Sequence, residues 1–226
     1  MRGLLFILFF TIFGWAVAQD IDQESPSARY FEDQFYFGVN YNFLRNTPSQ
    51  LTQRNLSYGL QAGFIKDLPL NVRGTKALGI GLGLGMDTYY SNLVVRESNG
   101  GFSYDLDPGL QVRRSKVETH TLAVPIQFRW RNSTRTEYRF WRVYTGLRLA
   151  YVLGARSKLV TTDFKESFFN TDVADFQYGL ELNVGYNTFN VHLYYGLNDI
   201  FGPDVVVNGE TVGLRPLRVG LIFFIL

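Results

Sequence analysis

QFYFGVNYNFL, residues 34–44, decides how the rest of the chain is read. Phe35, Phe37, Val39, Tyr41 and Phe43 fall on one parity, and Tyr36, Gly38, Asn40 and Asn42 fall on the other. A strand sends alternate side chains to opposite faces, so this is a ribbon with one apolar face and one small, polar face. A sheet facing bulk water usually carries Lys, Glu and Thr on its polar side. Gly, Asn and Tyr suit a cramped, enclosed lumen instead. With the apolar face turned to lipid, the stretch has the strand pattern of a transmembrane barrel.

Seven further ribbons repeat the pattern. Residues 55–65 set Leu56, Tyr58, Leu60, Ala62 and Phe64 outward. Residues 77–92 alternate Leu78, Ile80, Leu82, Leu84 and Met86 with Gly79, Gly81, Gly83 and Gly85. A phosphate-binding loop needs G-x-G-x-x-G between a strand and a helix, whereas this run has period two; bare glycines there make room for bulky lumen side chains. The remaining ribbons are residues 116–131, 138–153, 176–186, 189–198 and 214–226. Pro125 has no N–H for a ladder, so a bulge is expected beside it.

Connections after the first, third, fifth and seventh ribbons are long and polar, and those after the second, fourth and sixth are shorter. Short turns on the periplasmic side, long loops outside and both termini periplasmic is the arrangement of bacterial barrels. Aromatics mark both expected interfaces on the lipid parity. Phe43, Tyr58, Tyr90, Tyr151 and Tyr178 lie at one, and Phe35, Phe64, Trp130, Trp141, Tyr186 and Phe189 at the other. The expected fold is all-β, an eight-stranded antiparallel up-and-down transmembrane barrel with a side-chain-filled lumen, over residues 34–226.

Residues 1–18 read as an export signal: a positive start at Arg2, an apolar run over 4–13, and Ala16-Val17-Ala18 before Gln19. Residues 19–33 are acidic and aperiodic, a short periplasmic tail. The expected location is the outer membrane of a Gram-negative bacterium. Val219, Leu221, Phe223 and Ile225 share a parity at the terminus, as in a closing strand that the barrel-insertion machinery would engage. With 22 Lys+Arg against 20 Asp+Glu, nothing favours nucleic acid as a partner. The chain has no cysteine, which excludes disulfides and thiolate metal sites, and no cofactor is implied.

An eight-stranded barrel is only wide enough to be filled by its own side chains. The expected fill is Tyr36, Gln61, Asp87, Gln127, Arg129, Arg142, Tyr144, Arg148, Glu181, His192, Tyr194 and Arg218. Arg148 and Glu181, at similar heights on adjacent ribbons, are expected to pair, because a lone desolvated charge is costly. Some small barrels are hydrolases or acyltransferases, which need a nucleophile, a base and an orienting carboxylate together. His120 on the outward parity and His192 low in the lumen are the available imidazoles, and no G-x-S-x-G occurs. The expectation is therefore no catalytic site. Phe102, Tyr104, Phe164, Phe168 and Phe169 in the long connections either contact a protein partner or cap the barrel mouth.

The residues also carry a family resemblance. DQFYFGVNYN at 33–42, Val124-Pro125-Ile126 followed by Arg129, Phe176 with Gly179, Leu180 and Gly185, and Tyr195-Gly196-Leu197-Asn198 with Ile200 are similar to the PorT-like outer-membrane barrels of the Bacteroidota. The likeness covers essentially the whole mature chain. It implies a barrel in outer-membrane lipid, associated in the founding member with type IX secretion and gliding machinery. It implies no catalytic activity. The expected role is a non-enzymatic accessory of envelope or secretion machinery acting through protein contacts, with a stand-alone adhesion barrel, or a small-solute channel, as alternatives.

Overall fold

The structure, a computed structural model, describes residues 33–225 apart from 49, 99, 107, 108, 110, 133–140, 188 and 208. The export signal, the tail up to residue 32, the turn at 133–136, the start of the fifth ribbon and Leu226 lie outside the described residues. The strands are β1 (Gln34–Arg45), β2 (Tyr58–Pro69), β3 (Lys76–Ser91), β4 (Val94–Ser98), β5 (Gly101–Asp105), β6 (Val112–Arg131) and β7 (Trp141–Thr161). They continue with β8 (Lys165–Phe169), β9 (Phe176–Tyr186), β10 (Phe189–Gly196), β11 (Val206–Val207), β12 (Glu210–Thr211) and β13 (Arg215–Ile225).

Eight of these strands close a ring. Pairing runs β1–β2–β3–β6–β7–β9–β10–β13 and returns to β1, each pair antiparallel. Closure leaves the ring no free edge, so its backbone polar groups are satisfied within the sheet, as a lipid environment demands. All eight ribbons read from the sequence are ring strands. Alternation is strict in β9, where Phe176, Tyr178, Leu180, Leu182, Val184 and Tyr186 are exposed and the residues between them buried. The outward residues form a lipid-facing belt.

The end of the barrel with the short turns carries an aromatic girdle. Phe35 meets Phe64 at 5.2 Å, Trp141 meets Tyr186 at 5.5 Å, and Phe189 meets Phe223 at 5.7 Å between ring centroids. Each pair joins outward side chains on neighbouring ring strands, the geometry in which cross-strand pairs add stability. At the opposite end Tyr151 packs against Phe176 at 5.2 Å.

Three local expectations are corrected. Pro125 causes no register shift: it sits opposite Arg148, and the β3–β6 register is the same on both sides of it, with pairing interrupted only at Gly81 and Leu82. The proline lacks the N–H of one ladder bond, and its ring packs where a side chain at Gly81 would stand. The bulge lies higher, where His120 faces Gly154 but Thr121 faces Val152, leaving Leu153 as the extra residue. That insertion flips the parity of β7. Below it even-numbered residues are buried; above it Ala155, Ser157, Leu159 and Thr161 are. The flip hid the upper half of β7 from alternation analysis, which ended the strand at Leu153. Last, β2 runs on to Pro69, so Asp67 belongs to a strand facing the lumen rather than to a turn.

Candidate functional site

Every side chain of the expected lumen fill is buried. The glycines of β3 explain how so much fits. A methyl group at Gly83 would collide with the Tyr36 hydroxyl, and one at Gly79 would lie 2.7 Å from Arg129 Cδ. These backbone positions are seats for large side chains arriving from other strands.

The fill is organised in three tiers. Nearest the short turns, Asp67 is shared by Arg129 and Arg131, one carboxylate oxygen to each guanidinium. Arg129 Nη2 also donates to Gln34 Oε1 at 2.5 Å, and its guanidinium lies 4.0 Å over the Tyr144 ring. Arg131 Nε donates to the Gly74 carbonyl at 2.9 Å. In the middle tier Gln127 Nε2 donates to Glu181 Oε1 at 2.6 Å, and His192 Nδ1 meets Asn183 Oδ1 at 2.6 Å. In the third tier Arg218 and Asp87 form an ion pair at 3.0 Å, Asn42 Nδ2 donates to Asp87 at 3.1 Å, and Arg218 lies 4.4 Å over the Tyr194 ring.

Arg148 and Glu181 share the middle of the lumen but form no direct salt bridge. Glu181 stands opposite Gly146, and Arg148 stands opposite Gly179. They are two positions apart on the same face, and the Gln127 amide reaches the carboxylate instead. Asp67, which carries the two closest ion pairs of the lumen, was missed by sequence reasoning. Its signal was present: Gln61, Gly63, Ile65 and Asp67 share one parity. The buried charges are five arginines (129, 131, 142, 148, 218) and three carboxylates (67, 87, 181) among the described residues. Among the described residues such a lumen is filled, and its buried arginines outnumber its buried carboxylates.

At the end with the long connections the lumen continues into an apolar core. Inward residues near the strand ends, Tyr89, Val117, Val152 and Ala155, pack with residues from all four long connections. Leu51 comes from the first; Val95 and Leu106, from the second; Val173, from the third; Ile200, Phe201, Val205 and Val212, from the fourth. The connections are therefore a folded cap.

The five loop aromatics divide. Phe102, Tyr104 and Phe168 pack against the cap core, with Phe102 stacked on Phe168 at 5.4 Å and Tyr104 edge-on to Phe201 at 5.5 Å. Phe164 is half-buried with the Arg96 guanidinium 5.6 Å over it. Phe169 is 73% exposed, beneath Arg156 at 5.9 Å. Of the two options held for them, capping accounts for three of the five.

Tyr104 also latches the cap. Its hydroxyl donates to Asp172 Oδ2 at 3.0 Å and accepts from Asn170 Nδ2 at 3.1 Å. Burial raises its pKa above the ordinary value of 10.0. In the unfolded chain the phenol ionises near its ordinary value, while in the cap it stays protonated, so the unfolded state binds fewer protons above that pH. The contribution of Tyr104 is thus intact below about pH 10 and is lost as pH rises through its folded pKa. Proteolysis of the β4–β5 hairpin is expected to accelerate above that pH in the wild type, with a flatter profile in Tyr104→Phe. Equal profiles would show that other groups govern the cap.

Neither histidine has catalytic company among the described residues. His192 is buried on an amide, and His120 is on the outer face 3.3 Å from Glu118 Oε1, with no serine or threonine hydroxyl bonded to either ring. No group of three or more His, Asp or Glu side chains among the described residues could hold a metal.

A search of curated proteins finds no match to this chain. Among solved structures, Ail, the attachment invasion locus protein of Yersinia pestis, matches at a TM-score of 0.35 and 12% identity, covering 84% of this chain and 97% of that one. The family described as outer membrane protein beta-barrel domain matches residues 17–202. A closed eight-stranded ring, a belt of outward apolar residues and a match over most of the sequence agree, and the chain belongs to the outer membrane protein beta-barrel domain family.

Proposed function

We propose that this protein is a non-enzymatic outer-membrane barrel that acts through protein contacts made by its cap, as an accessory of envelope or secretion machinery. In this reading residues 1–18 are its export signal, the termini and short turns face the periplasm, and the cap faces the exterior. One observation carries it: the four long connections fold into a single apolar core continuous with the packed lumen. Such a core holds a fixed surface above the membrane and obstructs axial passage of solutes. The resemblance to PorT-like barrels supplies the secretion and gliding context.

Affinity purification from native membranes in mild detergent tests it. Co-purification of one or more envelope proteins, lost when the β4–β5 hairpin is deleted, is expected; the barrel recovered alone would sink the idea. A stand-alone adhesion barrel is the second reading, favoured by the three aromatics that the cap itself consumes. In that case hairpin deletion leaves secretion intact and alters surface attachment. For the channel alternative, planar-bilayer recording of the purified barrel is expected to give no conductance steps; steady unit steps would overturn the sealed-lumen assignment.

A further inference from the structure

Above the lipid-facing belt, the outward face of β6, β7 and β8 is crowded with cations. Arg114 and Lys116 on β6, Arg156 and Lys158 on β7 and Lys165 on β8 share that face, with Lys116 directly opposite Lys158. Like charges in register across an antiparallel pair destabilise it. Among the described residues of these strands the carboxylate on this face, Glu118, is already engaged by Lys116 and by His120 at 3.3 Å. Glu166, on β8, belongs to the opposite face, with Arg96 at 3.9 Å. Lys158 records the imbalance: Lys165 above all, with some burial and then Arg114, Lys116 and Arg156, holds its ammonium below the usual lysine value. A face built with this repulsion has a place for an anion.

An adjoining groove narrows the choice of anion. It is open, holds about 550 Å³, and sets Leu56, Tyr58, Tyr90 and Val160 against Arg113 and Arg114. Lys116 Nζ lies 6.0 Å from the Tyr90 ring centroid, so the groove and the cationic ribbon are continuous. Tyr58 and Tyr90 mark the boundary of the lipid-facing belt, and Leu56 is 64% exposed beside them. A soluble polyanion would need the cations but no apolar wall. A neutral lipid would need the wall but no cations. An acylated, phosphorylated amphiphile uses both.

We propose that the groove and ribbon bind the phosphorylated headgroup of an outer-leaflet glycolipid, phosphates on Arg113, Arg114 and Lys158 and an acyl chain against Leu56, Tyr58 and Val160. The leaflet, though not the chemistry, rests on the reading that the cap faces the exterior.

Native mass spectrometry of the detergent-solubilised barrel tests it with three probes: bisphosphorylated lipid A, the same lipid stripped of its phosphates, and inorganic pyrophosphate. The phosphorylated lipid is expected to be retained, the dephosphorylated lipid, which loses three cation contacts, to bind about 100-fold more weakly, and pyrophosphate not to displace it. Arg113→Gln with Arg114→Gln is expected to weaken retention about 25-fold, about fivefold per cation removed. Lys66→Gln, at the other end of the barrel, should leave it unchanged. If the arginine pair prevents folding, Lys158→Gln with Lys165→Gln gives the same reading from a half-buried and an exposed position. Equal retention of the two lipids, no loss in either double variant, or displacement by pyrophosphate would each overturn the proposal. Detergent has no sides, so orientation is measured separately, by labelling Lys165→Cys on intact cells with a membrane-impermeant maleimide. Failure to label would refute the outer-leaflet location while leaving the lipid measurement intact.

Discussion

Asp67→Ala is expected to destabilise the folded barrel by about 3–5 kcal/mol, the usual consequence of removing one partner from a buried ion pair. Asp67 is fully buried, and its two oxygens serve Arg129 and Arg131, both also fully buried. After truncation Arg129 keeps Gln34 and the faces of Tyr144 and Phe224, and Arg131 keeps the Gly74 carbonyl. Those of Arg129 are neutral partners, which orient its guanidinium without balancing its charge. Asp67→Asn preserves shape and one acceptor, so an intermediate loss is expected. Combining it with Arg129→Met and Arg131→Met should recover most of the stability, because desolvation offsets much of what a buried pair gains. Urea unfolding in lipid vesicles, followed by the fluorescence of Trp130 and Trp141 in the girdle, measures all three. A loss under about 1 kcal/mol for the alanine variant would mean that water or lipid headgroups screen this tier.

Gly146→Ala and Gly154→Ala, on one strand, are expected to move stability in opposite directions. Gly146 faces the lumen opposite Gln127, where an added Cβ would collide with the Ile126 carbonyl oxygen and stand 2.8 Å from Gln127 Cα. Backbone cannot rotate away as a side chain can, so β6 and β7 must separate. A loss of about 3 kcal/mol, the upper range for overpacking, or failure to fold is expected. At Gly154, beside the bulge, an added Cβ meets nothing within 4 Å. Alanine there is expected to stabilise by about 0.4–1 kcal/mol through a less flexible unfolded chain. The same urea titration compares them; similar losses at both sites would show that backbone conformation, rather than space, holds these glycines.

Legibility followed the physics of each feature. Alternation is local, so the outward faces and the lumen parity were open to reading wherever pairing was regular. It failed where one residue was inserted: past Leu153 the inward set moved from even to odd positions, and the charged ribbon above the belt looked like a polar loop. Asp67 was lost for a related reason, because Lys66, Asn71 and Gly74 resemble a turn and the strand continues through the first of them. The Arg148–Glu181 expectation chose the right tier but the wrong contact. Parity gives the face a side chain joins, and contact among long side chains depends on ring register.

The cap shows the same division. Its contributors are separated along the chain, from Leu51 to Leu214, and lie in segments without a shared period. No window of sequence contains the cluster. The one-dimensional pattern by itself determined eight strands, their lipid and lumen faces, and the aromatic interface, because each follows from side-chain alternation against two solvents. Only ring closure decided which arginines share Asp67, that four polar connections converge on one apolar core, and that cations from three strands gather on one face. Those are contacts between residues far apart in sequence, and they exist only once β1 has met β13.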